Sequence, residues 1–318
     1  MQFSVYQESH IGGRKVNQDR MGYSFTRDAL LLLLTDGMGG HLHGEIAANI
    51  ALQTIGSLFQ KNAKPYIKKP ERFLEDSFVA AHMEIHRYRE IHKLSETPRT
   101  TVVACLIQHN SAFWAHCGDS RLYWMRHGQI LARTRDHSCI ETLIAQGKAD
   151  PSERATHPDR NKLFNCLGAS NTPMVELSRR VSLQAGDVIL LCSDGLWSML
   201  PDNLLAERLQ NNTIVRAVPE LISNALSIAG KTSDNVTALA LAWASGGIID
   251  DPSTSIATHT LPIGSLTTTI QALQNPVPEA REVITDIDIE KAINEIRSAI
   301  EKSTTVTTNL AANPNFKE

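Results

Sequence analysis

Two strongly apolar runs far apart in the chain end on the same dipeptide: residues 29–35 lead into Asp36-Gly37, and residues 188–193 into Asp194-Gly195. An apolar run of five or six residues closed by glycine reads as a buried strand. A carboxylate at its last position is then held where the sheet opens to solvent. Glycine beside it lets the backbone come close to an ion and offers its carbonyl as a further ligand. Two aspartates presented in this way suit hard divalent cations.

The chain has 318 residues and is 42% hydrophobic, enough for one large core or two modest ones. A net charge of −3 argues against a nucleic-acid partner. Basic side chains gather only at Lys61, Lys64, Lys68, Lys69 and Arg72, which reads as a solvated loop. The five cysteines form no CxxC pair and are odd in number, so a disulfide framework is not expected and a reducing compartment is. No apolar run approaches the ~20 residues that span a bilayer, and the first ten residues lack signal-peptide character. The expected location is cytoplasmic, away from membranes.

Strand-like and helix-like stretches alternate up to about residue 245. Strands are expected at 21–26, 30–35, 101–108, 112–116, 122–126, 188–192 and 236–243, and helices at 44–59, 70–92, 138–145, 201–209 and 215–229. Many strands with hairpin-sized gaps and helices in pairs give an α+β layered sandwich rather than a doubly wound parallel sheet. Residues 1–245 are therefore taken as the main domain and 246–318 as a Thr-rich linker and tail. The tail holds ten acidic and five basic side chains, and Ile289, Ile293, Ile296 and Ile300 stripe one short amphipathic helix. That helix has three readings at this point: docking back on the domain, coiling with a partner or a second copy, or no fixed structure.

Three further aspartates fall near strand ends: Asp19, Asp119 in a Gly-Asp-Ser turn expected to close a hairpin, and Asp234 just before the last strand. A set of carboxylates with a carbonyl fits magnesium or manganese, whereas zinc would want His and Cys. Two such ions about 4 Å apart can activate a shared water toward phosphorus.

The series Arg14, Asn17-Gln18-Asp19, Asp36-Gly37-Met38-Gly39-Gly40-His41, Thr100-Thr101, Gly118-Asp119-Ser120-Arg121, Asp136-His137-Ser138, Leu167-Gly168, Ser193-Asp194-Gly195 and Asp234-Asn235-Val236-Thr237 resembles the bacterial PP2C-type (PPM) protein serine/threonine phosphatases in order and spacing, over about residues 4–243. The resemblance implies a four-layer α-β-β-α sandwich, with two central, mostly antiparallel sheets flanked by helix pairs. It implies hydrolysis of phosphoserine and phosphothreonine by a water bridging two Mn²⁺ or Mg²⁺ ions, opposing a bacterial Ser/Thr kinase. Asp36 would bridge the ions, the Gly37 carbonyl would join one, Asp194 and Asp234 the other, and Asp119 with Asp194 a third, looser ion. Asp19 would act through a metal-bound water, and Arg14 would hold the substrate phosphate. The segment 139–162 matches a mobile flap, in which His157 and Arg160 are the candidates for touching a phosphoprotein.

Three departures stand out. Gln18 and Met38 replace a glutamate and a histidine of animal members, so no general acid is assigned. Arg99 precedes Thr100-Thr101 where glycine is more usual. His82 and His86, four apart, read as part of a packing helix, His43 as a helix start, and the four tryptophans as core. Cys192 lacks the phosphate loop and arginine that a cysteine phosphatase needs. Two rivals stay open: a non-catalytic phosphoprotein-binding module, and a phosphatase for small phosphoesters.

Overall fold

The structure is a computed structural model that describes residues 1–38, 43–155, 157–159, 162–244 and the backbone of 266–268. One sheet contains, in spatial order, β1 (Gln2–His10), β11 (Val236–Ala244), β10 (Val188–Cys192), β6 (Arg121–Arg126) and β7 (Gln129–Arg133). The second contains β12 (Leu266–Thr268), β2 (Asp19–Phe25), β3 (Ala29–Asp36), β4 (Val102–Gln108) and β5 (Ser111–Cys117), with β8 (Glu176–Leu177) and β9 (Val181–Ser182) both on β5. Every pairing is antiparallel.

The apolar runs are continuous because both faces of their strands are covered. Leu30, Leu32 and Leu34 of β3 face the first sheet across a shared core, while Leu31 and Leu33 pack on α1 (Gly44–Asn62) and α2 (Pro70–His92). In β10, Ile189 and Leu191 face the shared core, and Leu190 and Cys192 pack toward α5 (Asp202–Asn211) and α6 (Ile214–Ala229). The period-two alternation therefore sorts side chains between two buried layers instead of between core and water. The result is the expected four-layer α-β-β-α sandwich. α6 shows the matching helical period, burying Ile214, Ala217, Val218, Leu221, Ile222 and Ala225.

Two expectations need correction. The Gly118-Asp119-Ser120 turn does not close a hairpin: β5 pairs within one sheet and β6 within the other, so the chain crosses between layers there. Strands buried on both faces satisfy the same pattern whether or not they pair with each other. The stretch 2–10, for which the sequence pattern predicts no element, forms the nine-residue β1 in register with β11. Its side chains are mostly half-buried at a sheet edge, so no apolar run marks it. The striped helix expected at 289–300 lies outside the described residues. Among the described residues no helix is long and apolar enough to cross a membrane.

Candidate metal centre

The fold gathers the five aspartates at one end of the two sheets. Asp19 and Asp36 stand directly opposite each other in the β2–β3 register. Ser193, which follows β10, donates from Oγ to Asp19 Oδ2 at 2.8 Å, which ties the second Asp-Gly strand to the second sheet. Asn235 accepts the Gln18 N–H on Oδ1 at 2.8 Å, while its Nδ2 donates to the carbonyls of Ile11 and Val16. One amide thus fixes the loop carrying Arg14 against the strand that follows Asp234. Thr101 steadies Asp36 by accepting its N–H on Oγ1 at 3.2 Å, and the same hydroxyl meets Ser120 Oγ at 2.6 Å beside Asp119.

Both Asp-Gly glycines are required by close approach. A Cβ on Gly37 would collide with the backbone of Gly44 at the start of α1, and one on Gly195 with the carbonyl of Asn235. In each case the strand end sits against neighbouring backbone, so the carboxylate before the glycine has little freedom.

Asp36 and Asp194 are enclosed by protein on most sides yet keep a solvent-facing edge. Burial raises both carboxyl pKa values well above the ordinary range, and the neighbouring aspartates raise them further. Burial also pushes Asp19 up to about 6 and Asp119 up to about 7, the latter with help from Asp136. Among the described residues, Arg14 is the only cation in an ion pair with any of the five: its Nη2 lies 2.7 Å from Asp234 Oδ2. Among the described residues Asp19 Oδ1 is buried with no hydrogen-bond partner, which is costly for a carboxylate oxygen unless a cation completes its surroundings. Clustered oxygen donors, an orphaned carboxylate oxygen and uncompensated negative charge fit hard divalent ions.

Asp119 is held by residues that the sequence did not single out. Trp197, the last residue of α4 (Asp194–Trp197), donates its indole N–H to the Asp119 carbonyl at 2.9 Å. Its ring lies 3.6 Å below the Arg121 guanidinium, which makes a two-pronged pair with buried Asp136 at 2.8 and 2.7 Å. The core role expected for Trp197 omits this clamp, which joins Asp194, Asp119 and the base of the 139–162 segment.

His116, His137 and Glu176 also offer donor atoms within 4.8 Å of one another. Hydrogen bonds commit them differently. The Gly118 N–H donates to His137 Nδ1 at 3.2 Å, so the neutral ring carries its proton on Nε2 and gives it to Glu176. The His137 N–H in turn donates to the Gly118 carbonyl at 3.0 Å, while His116 Nε2 is paired with the Arg135 carbonyl. This group fastens the Asp119 turn and leaves His137 no free lone pair for a metal.

His157 accepts the Asp159 N–H on Nδ1 at 3.1 Å. Among the described residues no hydrogen bond or ion pair joins it to the carboxylates, and Arg160 and His41 lie outside them. His43 stands at the start of α1 in the left-handed region without capping it through its side chain. His82 accepts the Gly168 N–H and His86 contacts the Ala169 carbonyl, so both anchor α2 to that loop. Cys192 is fully buried, and desolvation raises its thiol pKa, opposite to what a nucleophile needs.

The protein phosphatase 2C family model matches residues 6–239. The serine/threonine phosphatase stp of Listeria monocytogenes is 29% identical over 229 residues, covering 71% of this chain and 90% of that protein. The phosphatase PstP of Mycobacterium tuberculosis is 32% identical over 209 residues, covering 66% of this chain and 39% of that one. Among solved structures, Stp1 of Staphylococcus aureus superposes with a TM-score of 0.70 at 29% identity, over 77% of this chain and 96% of that one. A PstP catalytic domain in complex with two manganese ions superposes with a TM-score of 0.63 at 27% identity, over 77% of this chain and 100% of that one. A match over most of the sandwich, including the stretches that carry all five aspartates, leaves one assignment: the chain belongs to the protein phosphatase 2C family.

Proposed function

We propose that the chain hydrolyses phosphoserine and phosphothreonine in proteins with the help of two Mn²⁺ or Mg²⁺ ions held by Asp36, the Gly37 carbonyl, Asp194 and Asp234. The chain is a protein serine/threonine phosphatase. The observation carrying the metal assignment is the cluster of five aspartates in which, among the described residues, Asp19 Oδ1 is buried without a partner and only Arg14 supplies an ion pair. When bound, such ions neutralise phosphoryl charge and lower the pKa of a water to be used as nucleophile.

The protein's own residues do the rest. Arg14, whose side chain is 52% exposed, can turn from Asp234 toward an incoming phosphate and grip two of its oxygens with one planar fork. Asp19 orients solvent at the floor of the site, with Ser193 fixing its other oxygen. Asp119 and Asp194 would hold a third ion, more loosely, where one binds. The segment 139–162, with His157 and Arg160, meets the phosphoprotein, and a cognate Ser/Thr kinase supplies the phosphorylated substrate. Catalysis is assigned to residues 1–245, and 246–318 are assigned a regulatory role through their threonines and striped helix.

The test is hydrolysis of p-nitrophenyl phosphate and of phosphothreonine peptides. Turnover should require Mn²⁺ or Mg²⁺ and fall by about 10³-fold or more in Asp36→Asn or Asp194→Asn. Activity unaffected by a chelator would refute the metal assignment, and faster turnover of small phosphoesters than of phosphopeptides would refute the protein substrate.

A further inference from the structure

The basic cluster that reads as a solvated loop in the sequence is, in the fold, the rim of a built cavity. A space of about 600 Å³ opens between the last turns of α1, the loop 63–69 and the first half of α2. Its apolar lining includes Leu58, Ile67, Phe73 and Ala80. Lys64, Lys68, Lys69 and Arg72 also line it, against a single acid, Asp76, which is already paired with Arg72 Nε at 3.3 Å. Among the described residues Lys64, Lys68 and Lys69 make no ion pair.

The wall of this cavity is fixed to the sandwich. Gln108, 5% exposed, accepts the Ile67 N–H on Oε1 at 3.0 Å and returns Nε2 to the Ile67 carbonyl at 2.9 Å. Thr26 Oγ1 donates to the Pro65 carbonyl, and the Tyr66 ring meets His109 edge-on with centroids 4.8 Å apart. The loop is thus tied to both the β2–β3 and β4–β5 turns. A preformed recess with an apolar floor and a few placed charges is the usual form of a binding site.

From these features we infer that the cavity binds an acidic peptide segment carrying a pair of adjacent bulky apolar side chains, with the apolar groups on the Leu58–Phe73 floor and carboxylates on the lysine rim. Charge complementarity selects this occupant. The chain as a whole is −3, yet this rim is strongly positive. Away from the rim the acidic and basic side chains of residues 1–245 nearly balance, so a long nucleic acid would meet no continuing positive track, and a flat bilayer cannot enter a recess. The site lies at the far end of α1 from Gly44, and Leu58 is roughly 20 Å along the helix from the residue that touches Gly37. A segment held there sits remote from the carboxylate centre, so docking and turnover are separable.

The probe is a fluorescein-labelled octapeptide of six glutamates around a central phenylalanine–leucine pair, titrated with the full chain and followed by fluorescence polarisation. Binding with Kd of about 10–100 μM is expected, weakening at least tenfold in the double variant Lys68→Glu, Lys69→Glu and again when the phenylalanine–leucine pair is replaced by serines. Manganese-dependent turnover of p-nitrophenyl phosphate by the same double variant should stay within about twofold of the unaltered chain. That shows the variant is folded and keeps this test independent of the phosphatase reading. Should the variant lose turnover, Lys64→Glu, at the loop's exposed start, serves instead. No binding at 1 mM protein, binding indifferent to the lysine reversals, or equal binding of the serine peptide would each overturn the inference. So would rim-dependent binding to phosphatidylglycerol vesicles or single-stranded RNA in the absence of peptide binding.

Discussion

At the residue scale, the carboxylate cluster stores unfavourable charge in the metal-free protein. Asp19, at about 6, and Asp119, at about 7, both stand above the ordinary 3.8 because burial disfavours their ionised forms. Their protons are bound more tightly in the fold than in the unfolded chain. Their contribution to stability is therefore full below pH about 4 and is lost as pH rises to about 7. Cations that replace those protons should reverse the trend. The expected outcome is that Mn²⁺ raises Tm more at pH 8 than at pH 5.5, and that its binding releases protons, measurable by calorimetry in buffers of different ionisation enthalpy. A Tm gain independent of pH would contradict the charge argument. Asp36→Asn supplies a second check, since it removes a charge repelled by its four aspartate neighbours. The metal-free variant should melt a few degrees higher than the unaltered chain at pH 8 while turnover is lost.

At the scale of elements, the strands that carry the aspartates were legible because burial on both faces writes a continuous apolar run, and the Asp-Gly pairs mark where two such runs end. What the sequence hid has physical reasons. β1 borrows its stability from nine-residue pairing with β11 and needs no apolar run of its own, and the β5–β6 turn looks the same whether its strands pair or part. The Trp197 clamp was illegible because its partners, the Asp119 carbonyl and the Arg121 guanidinium, are brought to it only by the joining of two sheets. Two substitutions separate its parts. Trp197→Phe keeps a ring beneath Arg121 and removes the N–H to Asp119, so it should cost about 1 kcal/mol of stability and weaken the loosest Mn²⁺ site in a calorimetric titration, leaving the tighter sites intact. Arg121→Met leaves Asp136, 5% exposed, without its partner, and should cost about 3–5 kcal/mol, seen as a Tm lowered by roughly 10 °C.

At the scale of the whole molecule, the two ends of the sandwich close on each other. β1 starts at Gln2 and β11 ends at Ala244, and the two lie side by side with Gln2 opposite Ala244. All five aspartates, Arg14 and the Trp197 clamp fall between these ends. The later strand β12 adds three residues to the outer edge of β2 and contributes none of those side chains. A chain ending at residue 245 should therefore keep manganese-dependent turnover of p-nitrophenyl phosphate within about twofold of the full chain, because short edge pairing adds little to a sheet already held on its other side. A chain beginning at residue 11 should behave in the opposite way. It strips the nine-residue partner from β11, exposes an unpaired strand edge that leads back to Asp234, and removes Phe3 from the shared core. Loss of a cooperative melting transition and of activity is the expected outcome for that deletion. If instead the chain ending at 245 failed to melt cooperatively and the chain beginning at 11 stayed active, the domain boundary near 245 would be misplaced, and residues 246–318 would belong to the catalytic unit.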